Sequence, residues 1–505
     1  MDTNFDIVSP GAAAMIESLR AYGYTLNTAI SDLVDNSISA NANNIWIHVH
    51  WAGEASWISL FDDGHGMSEK ALISAMRPGS QNPLDTRDEQ DLGRFGLGLK
   101  TASFSQCRSL TVASRCMGDE IHFRRWDLDY VGKFDQWRLL KTPREGNKSK
   151  FETLSNQDFG TIVLLEKLDR ICEDQNKDDE VSRRKFMDKI SSLEKHLSMV
   201  FHRFIEGKEG LNIYINGSGE DHKVKPWDPF LSNHQATQKR PLESKKFRDG
   251  TILVQGFILP HKDKLRGNDH QLASGPKGWN AHQGFYVYRN KRLLVAGSWL
   301  GLGGRRNGWT KEEHYKLARI RVDIPNAVDS SWHLDVKKSS ASPPIIASLW
   351  LEGYAETVRK EARAAFSHRG RYGNRIESEE VARLWVSGMR GGSQVYRIDR
   401  RHLLVSKLLG RMGNVKPELE TLFRLLEETV PVQQIWLDIA EHSERSNEPM
   451  GGLTENEVMK LVDITIKTLC GAGRKPSKTS IDFICNMEAF SNFVDTIRAK
   501  YQGDD

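Results

Sequence analysis

In the run DLVDNSISA, Asp32 and Asn36 stand four residues apart, so on a helix they share one face. An amide carbonyl oxygen is a hard, neutral ligand suited to Mg2+, which takes oxygen donors and keeps waters and phosphates as well. A carboxylate one turn earlier can orient and deprotonate a water aimed at a terminal phosphate. In LFDDGHGMS, Asp62 closes a strand and is followed by Gly64, Gly66 and Met67. A carboxylate at a strand end can accept from an exocyclic amino group such as that of adenine. Glycines beside it let backbone approach a ring with no Cβ in the way. In GRFGLGLKTAS, Gly93, Gly96 and Gly98 open a helix, whose first N–H groups and dipole attract a phosphate. The spacing is neither that of a P-loop nor that of the Rossmann fingerprint. Lys100, two residues past the last glycine, either reaches a phosphate or caps the surface. Thr161 starts the strand-like run FGTIVLLEKL, where its hydroxyl can bond a base directly or through water.

Those side chains need elements to hold them. Residues 11–40 read as helix from the three-to-four spacing of Ala14, Ile16, Leu19, Ile30, Leu33, Val34 and Ile38. Strands are predicted at 44–51, 55–63, 108–115, 120–126, 160–165 and 211–217, and helices at 68–76 and 179–206. RPGSQNPLDTRDEQD, rich in breakers, reads as a lid loop over 77–92. The division predicted is a nucleotide domain at 1–217 and a polar linker at 218–248. A β-rich domain follows at 249–345, and a mainly helical region at 346–505.

The bulk numbers bound the class. The chain has 505 residues, with 38% hydrophobic and 27% charged side chains, enough to bury about three cores. No apolar stretch approaches the roughly 20 residues that cross a bilayer, and MDTNFDIVSP is not a signal peptide, so a cytoplasmic protein is expected. Five scattered cysteines form no C-x-x-C pair, which argues against a zinc site and a disulfide framework. Net charge is +4, but basic runs cluster at 239–248, 288–292, 303–306 and 359–375, either as solvated faces or as a surface that tracks phosphates.

Taken singly, each motif is common. Their order is not: D-x-x-x-N on a helix, D-x-G-x-G, a lid, the glycine run and a G-T strand start. That order resembles the GHKL ATPases, which include gyrase, histidine kinases, MutL and the heat-shock chaperone of ninety kilodaltons. The resemblance covers roughly residues 10–170 and implies a Bergerat α/β sandwich with ATP under a flexible lid. It implies that Asn36 binds Mg2+ and Asp62 reads the adenine amino group. Gly93, Arg94, Phe95, Gly96, Leu97 and Gly98 would hold the phosphates, and Ser80 lies where the lid opens. One departure stands out, since the family's base is usually Glu and Asp32 is one methylene shorter, which predicts slow hydrolysis.

An ATP module ahead of a β-rich unit looks like MutL, gyrase-type and MORC proteins more than like a histidine kinase. GFYVYRNKRLLVAGSWLGL is similar to a MORC-type transducer strand, and prokaryotic MORC/MutL-like ATPases are the nearest resemblance. It implies a ribosomal-protein-like β/α transducer domain whose lysine meets the γ-phosphate. In WHLDVKKSSASPP either Lys337 or Lys338 could play that part, with Lys338 nearer the turn. It further implies an ATP-dependent homodimer acting as a clamp on DNA, beside a nuclease or methylase partner in restriction or antiphage defence. MutL's D-Q-H-A endonuclease signature is absent from the chain. Two other readings share the site: a chaperone-like ATPase for protein clients, and a nucleotide-sensing scaffold without turnover.

Overall fold

The computed structural model describes residues 6, 10–21, 23–79, 98–172, 178–207, 210–248, 250–265, 267–303, 308–326, 332, 341–367, 384–390, 393–432, 434–435, 450, 452–471 and 475–502. Ser80, the run from Gly93 to Leu97, Lys337 and Lys338 lie outside them. The chain divides into two compact units, Met1–Tyr372 and Gly373–Asp505.

The first unit opens with two helices where the periodicity predicted one, α1 (Ala12–Arg20) and α2 (Leu26–Ser39). The apolar rhythm runs on through the break, but Gly23 sits at φ +66° and Thr25 caps the new helix. The Thr25 hydroxyl accepts the Thr28 N–H at 3.3 Å, while Thr28 Oγ1 accepts the Thr25 N–H at 3.0 Å. There follow β1 (Asn44–His50), β2 (Trp57–Asp62), α3 (Glu69–Met76), α4 (Gly98–Phe104), β3 (Ser109–Arg115) and β4 (His122–Asp127). Next come α5 (Leu128–Phe134), α6 (Glu152–Ser155), β5 (Gly160–Glu166), α7 (Glu180–Val200), α8 (His202–Ile205) and β6 (Asn212–Ile215). Six strands form one mixed sheet in the order β4-β3-β5-β2-β1-β6, antiparallel except for β1 with β6.

Period-two alternation gives this sheet two different faces. Ile58, Leu60, Leu110, Val112, Val163 and Leu165 face the core they share with α1, α2 and α7. Phe61, Ala113, Ile162 and Leu164 point the other way, beneath Phe151 and Leu154.

A second sheet has the order β11-β10-β12-β9-β7, with β8 also on β9. Its strands are β7 (Gln238–Lys239), β8 (Glu243–Phe247), β9 (Gly250–Ile258), β10 (Gly284–Arg289), β11 (Arg292–Ser298) and β12 (Ala318–Ile324), with α9 (Asp269–Ser274) between β9 and β10. Residues read as a linker therefore belong to it. Phe230 is buried against Phe257 and Tyr286, and β7 and β8 pair with β9. Helix α10 (Ile345–Ser367) packs on the same sheet, beyond the boundary expected at 345/346. Gly256 makes this approach possible, since a Cβ there would meet Val358 Cγ2 at 2.6 Å. The Gly256 N–H donates to the Tyr354 hydroxyl at 2.8 Å.

The two sheets share one core. Phe257, Tyr286, Tyr288 and Leu293 join the first sheet's apolar cluster, and the Tyr288 hydroxyl lies 2.8 Å from His202 Nε2.

The second unit contains a hairpin, β13 (Trp385–Arg390) with β14 (Ser393–Ile398), inside the region read as mainly helical. Helices α11 (Leu403–Arg411), α12 (Lys416–Glu428), α13 (Glu455–Cys470), α14 (Lys478–Cys485) and α15 (Val494–Gln502) complete it. Its core is built around Val458, Val462, Ile484 and Ile497. Among the described residues, no helix is long and apolar enough to cross a membrane.

Candidate functional site

At one end of the core-facing side of the first sheet, the apolar alternation changes to polar. Asp62 ends β2, Thr161 lies opposite it on β5, and Ser114 lies opposite Thr161 on β3. Residues directly across antiparallel strands point to the same face, so three side chains far apart in sequence form one row. The Ser114 and Thr161 hydroxyl oxygens are 2.8 Å apart, and Ser114 Oγ also donates to the Gly160 carbonyl at 3.1 Å. Ser114 accepts the Met67 N–H at 2.8 Å, which ties the turn after β2 to β3. With the Ser114 proton on the Gly160 carbonyl, Thr161 donates to Ser114 and offers a ligand its lone pairs.

Asp62 is buried and doubly bonded. Its Oδ2 accepts the Ser37 hydroxyl at 2.8 Å and its Oδ1 accepts the Gly64 N–H at 3.1 Å. Burial disfavours the charge and pushes this carboxyl up to about 6, while the bonds from Ser37 and Gly64 act in the other direction. Sequence reading missed Ser37, the residue that joins α2 to the end of β2. Its signal was its place directly after Asn36, on the turn that faces the sheet. The neighbouring Asp63 serves the fold instead. Its Oδ1 accepts the Asn43 and Asn44 N–H groups at 2.8 Å, stapling the start of β1.

The glycines act differently from the expectation. Gly66 sits at φ +70°, and a Cβ there would fall 1.8 Å from the Arg115 carbonyl oxygen. It is required by the approach of the turn to β3, whatever the turn binds. A Cβ on Gly64 would meet Ala40 Cβ at 2.7 Å, so that glycine lets the turn lie against the end of α2.

On α2, Asp32 is buried and Asn36 is exposed. The Tyr24 hydroxyl donates to Asp32 Oδ2 at 3.0 Å. Gly98, where α4 begins, is close by: a Cβ there would lie 3.6 Å from the same oxygen. Gly98, the last glycine of the run that starts at Gly93, thus lies beside Asp32. Asn36 makes no side-chain hydrogen bond among the described residues, so its amide oxygen is presented to solvent one turn from Asp32. No group of three or more metal-ligating His, Cys, Asp or Glu occurs among the described residues.

Lys100 does not cap the surface. It is buried, its Nζ donates to the Ala75 carbonyl at 2.9 Å, and burial pushes its ammonium down to about 8. A cleft of about 440 Å³ opens elsewhere, at the start of α2, lined by Tyr24, Asn27, Gln106, Arg170 and Lys189. Its two cations already serve carbonyls, Arg170 that of Arg20 at 2.6 Å and Lys189 that of Ile171 at 2.8 Å.

Helix α2 is also bound to the second sheet. Arg292 Nε reaches the two Asp35 oxygens at 3.1 and 3.3 Å, with both side chains almost fully buried. The guanidinium lies over the Phe201 ring, 5.1 Å from its centroid. This corrects the view of 288–292 as a phosphate-tracking run. Arg289 and Arg292 are buried, and only Lys291, at the tip of the β10–β11 turn, is an exposed cation.

A mixed sheet with helices on its core side, and a polar row tied through Ser37 to the helix that carries Asp32 and Asn36, is consistent with an α/β domain of the GHKL type. Residues 24–161 match the family described as histidine kinase-, DNA gyrase B- and HSP90-like ATPase, which supports the GHKL superfamily for this domain. No curated protein matches the chain.

Proposed function

We propose that the chain binds ATP with Mg2+ at this site and hydrolyses it slowly, with Asp32 as general base. The observation that supports this most directly is the Ser37 bond. It holds the adenine-reading carboxylate of Asp62 to the helix that carries Asp32 and Asn36. In this reading Asn36 holds Mg2+, which neutralises phosphate charge when bound, and Asp62 accepts from the adenine amino group. Thr161 and Ser114 line the base, and Gly98 ends the phosphate-binding run beside Asp32. Asn36→Ala should abolish ATP binding, while Asp32→Ala should keep binding and lose turnover. Wild-type hydrolysis in Asp32→Ala would remove the base assignment.

The second sheet with α10 is proposed as the transducer, with Lys338 or Lys337 meeting the γ-phosphate in an ATP-closed homodimer. Its support is a layout that resembles that of MORC and MutL-type proteins, and the Asp35–Arg292 link between α2 and β11. Action on DNA rests on the exposed cations Lys291, Lys360 and Arg363. DNA affinity should fall steeply with salt and with charge reversal at these positions. Binding that ignores both would exclude the DNA clamp and leave the ATPase reading intact.

A further inference from the structure

Tyr24 lies in the short connection between α1 and α2 and is buried. Its ring packs between Ala29 of α2 and Ala102 of α4. Its backbone carbonyl accepts Gln106 Nε2 at 3.1 Å, and that amide also donates to Ser105 Oγ at 2.7 Å. The residue is therefore held at its backbone by the segment after α4 and at its ring by both helices. Only its hydroxyl is directed at the chemistry, donating to Asp32 Oδ2 at 3.0 Å. The same oxygen lies on the side of Gly98, where α4 begins.

A donor on a carboxylate oxygen fixes the plane of the carboxylate, which decides where an attacking water can be held. An aspartate has one methylene less than a glutamate with which to reach that water. An aspartate at this position depends on being held at the right angle more than a longer side chain would. A buried tyrosine supplies that hold at low entropic cost, because its ring is already packed.

We propose that Tyr24 is a positioning residue for the Asp32 carboxylate during ATP hydrolysis. The proposal rests on Asp32 being the general base. Tyr24→Phe keeps the ring and removes only the donor, so the fold and nucleotide affinity should be retained. Its kcat should fall by about tenfold with KM within about twofold, a split that a merely structural loss would not give. In an Asp32→Asn background, adding Tyr24→Phe should change the residual rate no further. Gln106→Ala, which loosens the anchor and leaves the hydroxyl, should give a smaller fall of the same kind. A Tyr24→Phe enzyme with unchanged kcat, alongside an inactive Asp32→Ala, overturns the positioning role alone. An active Asp32→Ala, or a wild type without turnover, overturns the base assignment and this proposal with it.

Discussion

If Asp62 reads adenine as proposed, its raised carboxyl makes that contact sensitive to pH near neutrality. Its carboxyl is pushed up to about 6 from 3.8, chiefly by burial. A folded value above the unfolded one means that the folded state holds the proton more tightly. Stability from this group is therefore fully present below about 4 and is lost as pH rises through about 6. The displacement corresponds to about 3 kcal/mol of unfavourable burial of the charge. A ligand that needs the ionised carboxylate must draw on the fraction present. That fraction is about nine-tenths at pH 7 and about one-tenth at pH 5. The dissociation constant should thus weaken by up to about tenfold between these values. Adenosine is the ligand of choice, because it has no phosphates to titrate, and calorimetry at half-unit steps is the assay. His196 and His282, both pushed down to about 3 chiefly by burial, stay neutral throughout. Asp62→Asn should flatten the profile. His65→Gln should keep the profile, although His65 also interacts with Asp62. An affinity that is level from pH 5 to 7, or a slope that survives in Asp62→Asn, refutes the reasoning.

Two further outcomes test how the site is held. Removing one partner of the buried Asp35–Arg292 pair should cost about 3–5 kcal/mol in urea unfolding, because the other charge is left desolvated. The double variant Asp35→Leu/Arg292→Met should lose far less than the two single losses together, and simple additivity would show that the pair is uncoupled. Gly66→Ala should destabilise the protein by at least about 2 kcal/mol through its left-handed φ and its collision with the Arg115 carbonyl. A thermal melt unchanged from wild type would mean that the turn relaxes freely.

The sequence by itself determined a good deal of this protein. Asp62 could be placed at a strand end because the segment of β2 alternates in polarity over part of its length, and Asp32 and Asn36 on one face because α2 keeps its helical spacing. Both patterns are local, and local periodicity is what a sequence displays. The tertiary structure decided the rest. Ser114, Thr161 and Asp62 form a row only because β3, β5 and β2 are neighbours in the sheet, an order that sequence distance conceals. Gly66 looks like room for a ligand until the Arg115 carbonyl is found where its Cβ would be. The basic run at 288–292 looks like a surface, yet its turn has Asn290 and Lys291 at positive φ and pairs Arg289 with Arg292 inside the fold. Charge composition carries no information on which side of a hairpin a residue falls. Arg292 finds its carboxylate on Asp35, 257 residues earlier, and Tyr24, in the break before α2, reaches Asp32 about one and a half turns into that helix. Such contacts are set by how elements pack, a property of the folded chain and not of any stretch within it.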